Sequence, residues 1–389
     1  MDEETFRELD RLLEKQDERS ALQLLIGRAR EHRNPGLLFE ALLMRARWEL
    51  GLPVIQEVPS SEFPVDTRAP YHGAMLEAAR AAGQLALETG DLATAWRYYR
   101  AIEEPEPLIQ AIEKFQAGEQ LDAVIEIALQ EGLHPVKGLS LILEHYGMCR
   151  AITCFGMYPI RHGREQCIAL LVTKLHQETV QRLRQAIASQ EGQAEESDRI
   201  PELIAGRDWL FGEYDYYVDT SHLLSILPYS QEVAEEATLR LLGELCEYGR
   251  RLSPLFHHRG QPPFEEPFIA YGHYVNARLG KEVEQSLDYF RAKAEQAAPD
   301  DLQPAETLVQ LLAQLGRYDE ALEVALRYFR DASAAELNCP SPLRLCSLAR
   351  RYEQMAELAR ERGDLLSYFA ARLNARPPAA TPQTVSVSL

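Results

Sequence analysis

The histidines of this chain are concentrated in its middle third, where imidazoles could serve as general bases or metal ligands. Eight of the ten histidines lie between His134 and His273, together with four of the six cysteines. Asp219 and His222 are three residues apart, a spacing that on a helix would let the carboxylate orient the imidazole, as in general acid–base pairs. The simpler interpretation is that Asp219 caps the next helix by accepting hydrogen bonds from its free amides. We favour the cap and assign no catalytic residue.

Tyrosines around this pair suggest a ligand pocket, because each combines a large apolar ring with one hydroxyl group. One wall would come from the segment before Asp219, and the opposing wall from the segment near residue 272. The alternative is that these rings only fill the seam between helix pairs. The candidate ligand-binding residues are Tyr214, Tyr217, Asp219, His222, His257, Tyr271 and His273.

A zinc site is the other chemical possibility in this region. His145 and Cys149 would share one helix face if a single helix ran through both, and Cys154, His162 and Cys167 follow. The spacings match no zinc module, and a cysteine in a helical protein is usually a small buried apolar residue. We therefore predict no metal and no cofactor. Glycine-rich phosphate loops, nucleophile elbows and H-E-x-x-H motifs are also missing from the sequence, which favours a binding protein over an enzyme.

The elements that must position these residues are helices. Apolar residues recur at intervals of three and four through almost the whole chain, as in the stripe of Leu308, Leu311, Leu312 and Leu315. That period is the α-helical one, so the sequence predicts an all-α fold with very little strand.

Two segments near the N-terminus repeat the same pattern at an offset of 28 residues. Each runs from a glycine over five residues to an alanine and over twelve more to a proline. The glycine permits a tight turn between two helices, the alanine allows close packing, and the proline is expected to stop the second helix. The residues are Gly90, Ala95 and Pro107 in one copy and Gly118, Ala123 and Pro135 in the other.

A third copy, QLGRYDEALEVALRYF, carries Gly316, Tyr318 and Ala321. This Gly-x-Tyr-x-x-Ala turn resembles the tetratricopeptide repeat. The resemblance implies antiparallel helix pairs that stack into a right-handed superhelix, whose concave face usually binds peptides or proteins. The 28-residue offset is shorter than the 34-residue period of that family. Flanking copies at Gly280 and Gly363 are degenerate, with a glutamine and a tyrosine at the alanine position.

These patterns predict four parts of the chain. N-terminal helix-pair repeats occupy 1–135, an irregular helical middle rich in His, Tyr and Cys occupies 136–268, C-terminal helix-pair repeats occupy 269–375, and a disordered tail occupies 376–389. The leading functional hypothesis is an interaction scaffold or adaptor with a protein or peptide partner. The alternative is a metal- or small-molecule-binding protein, or an enzyme, with its site in the middle part.

Charge and hydropathy narrow the partners and the location. Lys and Arg number 41 against 60 Asp and Glu, a formal net charge of −19, which repels nucleic-acid backbones. No stretch approaches the roughly 20 apolar residues of a membrane helix, and the acidic N-terminus does not resemble a secretory signal. We therefore expect a cytoplasmic protein without nucleic-acid or membrane partners. A homo-oligomer is compatible with this expectation, since repeat arrays expose their ends.

Overall fold

The computed structural model describes residues 3–193, 195–298, 300–330 and 332–375. Within these ranges every regular element is a helix, so the predicted all-α class is confirmed. The chain divides into two units, residues 1–167 and 168–389, at a boundary inside one long helix, α10 (Arg164–Glu191). The prediction of three helical parts is not tested by this division. The predicted tail, 376–389, lies outside the described residues.

The first unit is a series of helices in which sequence neighbours pack against each other. A π-helical turn, Glu126–Gln130, continues the short helix Leu121–Ile125. The helices are α1 (Glu3–Glu14), α2 (Glu18–Glu31), α3 (Pro35–Glu49), α4 (Val65–Glu88), α5 (Leu92–Ala101), α6 (Glu106–Lys114), α7 (Leu121–Ile125), α8 (Pro135–His145) and α9 (Gly147–Met157).

The α4–α5 pair shows the turn expected at Gly90. This glycine has φ +77°, a conformation that costs residues with a Cβ about 1 kcal/mol or more. Asp91 then caps α5 by accepting a hydrogen bond from the Thr94 amide at 2.9 Å, and Ala95 is fully buried. A Cβ at Gly83 would lie 2.9 Å from the Tyr99 ring, so the two helices are in close contact.

The second copy differs from the expectation. Ala123 is partly exposed, and its helix passes into the π-helical turn. The expectation that proline stops the second helix is wrong, since Pro107 is the second residue of α6 and Pro135 the first residue of α8. The missing amide hydrogen of proline costs nothing in a first helical turn, where amides have no intrahelical acceptor.

The second unit has a core formed by five consecutive helices, from α13 (Glu236–Arg251) to α17 (Tyr318–Phe329). The cation Arg278 and the Tyr274 hydroxyl both donate to the side-chain oxygen of Gln314 at 2.7 Å, and Gln314 donates to the Gln231 carbonyl at 2.7 Å. These bonds fix the helix that carries Tyr274 and Arg278 on the helix that carries Gln314. The helices are α11 (Ile200–Ile204), α12 (Thr220–Ile226), α13 (Glu236–Arg251), α14 (Pro267–Arg278), α15 (Val283–Gln296), α16 (Gln303–Gln314), α17 (Tyr318–Phe329), α18 (Pro342–Leu348), α19 (Tyr352–Glu361) and α20 (Leu365–Asn374).

The glycines of the degenerate copies adopt the same turn as Gly316. Gly280, Gly316 and Gly363 have φ between +70° and +74° and join α14 to α15, α16 to α17 and α19 to α20. The helices on either side of each glycine pack together. In the described part of the chain, none of the helices has the length and apolar composition that crossing a membrane requires.

Candidate functional site

A cavity of about 550 Å³ opens in the second unit where α13 ends and α14 begins. Its size is in the usual range for small-molecule sites. The walls come from the C-terminus of α13, the connection to α14, the first turn of α14 and one lysine of α15. The lining residues are Arg250, His257, His258, Arg259, Glu265, Glu266, Pro267, Phe268, Ile269 and Lys293.

Close backbone approaches hold the connection in place. A Cβ at Gly260 would lie 2.2 Å from the Phe264 carbonyl oxygen, so only glycine fits this turn. The amide of Gly260 donates to the Glu265 carbonyl at 3.1 Å. Phe264 is buried and stacks on Tyr271 with ring centroids 4.0 Å apart. The connection is thereby anchored to α14, and its histidines and Arg259 lie at the cavity.

The floor of the cavity depends on the contact of α13 with α14. Gly249 has no side chain, and the Phe268 ring occupies the space that a Cβ would need, at 2.1 Å. His257 packs edge-on against Phe268, and its Nε2 lies 3.1 Å from the Gly249 carbonyl oxygen. Phe268 therefore forms an apolar surface beside a fixed imidazole.

Three permanent cations, Arg250, Arg259 and Lys293, face two carboxylates in this cavity. Lys293 pairs with Glu265 at 3.0 Å. Burial raises the pKa of Glu265, but its own backbone amide and Lys293 outweigh that effect and hold the pKa below its usual range. Glu265 is therefore charged at neutral pH and largely neutralises Lys293. The charge of Arg259 also contributes to lowering the pKa of Glu265. Glu266 lines the same cavity, and neither arginine forms an ion pair among the described residues.

An aromatic pair lies next to the cavity. His273 stacks on Tyr289 at a centroid distance of 4.6 Å, and the Lys293 ammonium lies 5.5 Å from the same tyrosine ring. Burial, together with the positive charge of Arg250, lowers the pKa of His273. This histidine is therefore neutral at pH 7.

The structure brings only some of the sequence-predicted residues together. His257 lines the cavity, and Tyr271 and His273 are on α14 beside it. Tyr271 lines a separate cavity of about 420 Å³ together with Phe264 and Gln310. The predicted wall around Asp219 does not form part of the cavity lining. Its residues are Tyr214, Tyr217, Asp219 and His222.

Asp219 has the geometry of a helix cap. Its carboxylate accepts a hydrogen bond from the Ser221 amide at 2.8 Å at the start of α12. Hydrogen bonds from Ser221 lower the pKa of Asp219. Tyr214 is exposed, and the Tyr217 amide donates to the Tyr248 hydroxyl at 2.8 Å. The hydrogen bonds of Asp219 and Tyr217 therefore have a structural role.

Sequence reasoning missed Arg250, Arg259 and Lys293. A signal for the first two exists, because Arg250-Arg251 and His257-His258-Arg259 form a basic stretch within an acidic chain. Lys293 carries no such signal, since α15 reaches the cavity only through tertiary packing.

The cysteine-rich segment does not form a metal site of the kind considered. The assumption of one helix through His145 and Cys149 is wrong, since α8 ends at His145 and α9 begins at Gly147. Among the described residues, no group of three or more His, Cys, Asp or Glu side chains is placed to hold a metal ion. All six cysteines are free thiols. Cys149 is exposed, and Cys167 and Cys246 are buried.

No family model matches the chain, and no curated protein is significantly similar to it.

Proposed function

We propose that this chain is a non-enzymatic interaction protein of tetratricopeptide-like helix pairs, which binds a partner protein on the exposed face of α20. The observation that carries the proposal is an apolar stripe on this helix, which we call the α20 stripe. Its residues are Leu365, Leu366, Phe369 and Leu373, with 79%, 84%, 63% and 48% of their surface exposed.

The α20 stripe is continuous on the helix. At about 100° per residue, its four positions fall within roughly 100° of the helix circumference. Ala371 is on the opposite side, is fully buried, and belongs to the face that packs against α19. Covering a leucine or phenylalanine side chain contributes about 1.5–3 kcal/mol. Four such side chains offer enough free energy for a partner to bind.

The partner that fits is an amphipathic helix with apolar anchors at i and i+4 and basic flanking residues. The anchors follow from helix-in-groove recognition, where one apolar face packs on another. The basic flanks follow from the net charge of −19, which steers cationic segments toward this chain. Asp364 at the start of α20 adds a local charge, because hydrogen bonds from Ser367 lower its pKa.

A displayed library of amphipathic helical peptides, selected on the immobilised chain, tests this proposal. We expect enriched peptides to carry an i, i+4 apolar stripe with Lys or Arg beside it. The double variant Leu366→Glu with Phe369→Glu should no longer bind the enriched peptides. The matched control is Met157→Glu, at an exposed apolar residue of α9 with 67% exposure, and it should retain them.

Two results would overturn the proposal. One is the absence of enrichment, or equal binding of the peptides to both variants. The other is a stable dimer in light scattering that Leu366→Glu dissociates, because a second copy would then be the occupant of the α20 stripe.

The arrangement of the helix pairs is a further part of this proposal. We propose that the pairs stack in the manner of a tetratricopeptide superhelix, which the sequence resemblance supports.

The six free cysteines favour a reducing location such as the cytoplasm. A second candidate function, binding of a small molecule, is favoured by the cavity at the end of α13.

A further inference from the structure

We propose that the cavity at the end of α13 binds the phosphate group of a small phosphorylated molecule. The cavity combines two arginines that form no ion pair among the described residues, two histidines and an apolar wall in a volume of about 550 Å³. This inference does not depend on the α20 stripe, whose residues are not part of the cavity lining. A failure of phosphate binding would therefore leave the proposal of a partner protein on the α20 stripe unaffected, and the reverse holds as well.

Arg250 is the main binding group. In the described part of the chain it makes no ion pair and donates no hydrogen bond, although arginines elsewhere in this unit pair with carboxylates, as Arg317 does with Glu284. Its side chain is nevertheless positioned, because its Nη2 lies in the space beside Gly272 that a Cβ would occupy, at 2.7 Å. A guanidinium placed at a cavity with free donors is suited to bidentate binding of an oxyanion.

Arg259 and His258 contribute from the connection between α13 and α14. Both line the cavity, and neither forms an ion pair among the described residues. The Gly260 turn and the stacking of Phe264 on Tyr271 fix the backbone that carries them. The second arginine is therefore presented by an ordered segment, and less entropy is lost on binding.

A phosphate monoester matches this set of donors better than a carboxylate. A phosphate group carries about −1.5 to −2 charges at pH 7 and offers three acceptor oxygens. A single carboxylate pairs bidentately with one arginine, whereas the three oxygens of a phosphate can accept hydrogen bonds from both arginines at once. Glu266 lines the same cavity, and the charge of a dianion is needed to compete with it for the two arginines.

The organic part of the ligand would lie on the apolar wall. Pro267, Phe268 and Ile269 form this wall in the first turn of α14, and Phe268 is buried apart from the surface it gives to the cavity. The apolar wall has no role in binding free phosphate. We therefore expect an ester with an apolar or aromatic body to bind more tightly than the inorganic ion.

Calorimetric titration of the full chain with phenyl phosphate, inorganic phosphate and benzoate tests the ligand class. We expect phenyl phosphate to bind at least about tenfold more tightly than either of the others, since a difference of 1.4 kcal/mol in binding free energy is tenfold. If benzoate bound as tightly as phenyl phosphate, the proposed specificity for a phosphate group would be overturned. If inorganic phosphate bound as tightly, the proposed role of the organic part of the ester would be overturned. If a phosphotyrosine peptide bound far more tightly than phenyl phosphate, the ligand would be a phosphorylated protein, and the proposal of a small-molecule ligand would be overturned.

Substitutions identify the site. Arg250→Gln with Arg259→Gln should weaken phenyl phosphate binding at least about tenfold, because the phosphate loses its charge-assisted hydrogen bonds from both guanidinium groups. The matched control is Arg240→Gln, at an exposed arginine of α13 that pairs with Glu236, and it should bind as the wild type does. Unchanged affinity in the double variant would overturn the assignment.

Gly272→Ala separates binding from folding. The added methyl would displace the Arg250 guanidinium, and the three nearest atoms to it all belong to that flexible side chain. Alanine is also the better helix former. We expect a variant that melts no lower than the wild type but binds phenyl phosphate at least about fivefold more weakly. Wild-type affinity in a folded Gly272→Ala variant would show that the position of Arg250 does not matter and would overturn its role.

Discussion

His176 on α10 and Glu244 on α13 form a buried pair, with 2.9 Å between Nε2 and Oε2. The same carboxylate accepts hydrogen bonds from the Ile200 amide at 3.0 Å and from Arg199 Nε at 3.1 Å. Three chain segments of the second unit therefore converge on one side chain. A buried carboxylate with three donors is stable in its charged form, and losing it leaves those donors without an acceptor.

We predict that Glu244→Gln lowers the free energy of unfolding of the second unit by about 1–3 kcal/mol. The amide keeps one acceptor oxygen, but it replaces the other with a donor that faces His176. Chemical denaturation at pH 7 measures the loss. Glu247→Gln, at an exposed position of the same helix, is the control and should change stability by less than about 0.5 kcal/mol.

The pH dependence of the same variant follows from the ionisation of Glu244. Burial raises the pKa of Glu244, but hydrogen bonds from His176, Ile200 and Arg199 outweigh that effect and lower the pKa overall. A carboxyl group whose pKa is lowered by folding stabilises the native state above its usual pKa, and this contribution is lost as the pH falls through the lowered value. The difference in melting temperature between wild type and Glu244→Gln should therefore shrink as the pH falls from about 5 to 3. A constant difference over that range would contradict this account.

Two glycines of α13 should respond in opposite ways to alanine. The Phe268 ring is 2.1 Å from a Cβ at Gly249, whereas the nearest atom to a Cβ at Gly243 is a Val275 methyl at 3.4 Å. We expect Gly249→Ala to lower the free energy of unfolding by about 1–3 kcal/mol, because the added methyl group overpacks the contact with Phe268. Gly243→Ala should be neutral or stabilise by up to about 1 kcal/mol through helix propensity. Thermal melting of the two variants checks the contrast, and equal effects would contradict it.

Two tyrosines with buried hydroxyl groups should differ in stability when each is changed to phenylalanine. The Tyr289 hydroxyl is buried without a partner in hydrogen-bonding geometry among the described residues, although the Lys293 ammonium lies near its ring. The Tyr274 hydroxyl donates to Gln314 at 2.7 Å. Tyr274→Phe should lower the free energy of unfolding by about 1–2 kcal/mol, and Tyr289→Phe should leave it unchanged or raise it slightly. Denaturant midpoints of the two variants measure the difference, which would vanish if both hydroxyls were equally satisfied.

The cap at Asp219 predicts a pattern that a catalytic carboxylate would not show. Asp219→Ala should lose about 1 kcal/mol of stability, because the Ser221 amide at the start of α12 loses its acceptor. Asp219→Asn should restore most of that loss, since asparagine caps equally well. Thermal melting of both variants is the measurement. Equal destabilisation by alanine and asparagine would show that the negative charge itself is needed.

Local features of the fold were predictable because turn chemistry and helical period are local. The turns at Gly90 and Gly316 follow from the sequence alone, and so does the cap at Asp219. The role of proline was predicted wrongly, because a proline after one helix looks the same in sequence whether it stops that helix or begins the next. The tertiary packing at Ala123 also differs from the repeat pattern, since a π-helical turn follows it.

The cavity could not be predicted in the same way. Arg250, Arg259 and Lys293 come from α13, the connection and α15, and their proximity depends on how α13, α14 and α15 pack. The pair of His176 and Glu244 is separated by 68 residues and has no local pattern at all. The sequence indicated a histidine- and tyrosine-rich region, and of its candidate residues only His257 lines the cavity.

The free cysteines make the opening of the second unit measurable by thiol-labelling kinetics. Cys149 is exposed, whereas Cys246 on α13 is completely buried, and burial raises its pKa to about 12. Because thiol reagents attack the accessible thiolate, Cys149 should react within the first phase and Cys246 only when α13 separates from its neighbours. The rate of the Cys246 phase then reports how often that helix opens. A molecule that occupies the cavity at the end of α13 should slow that phase.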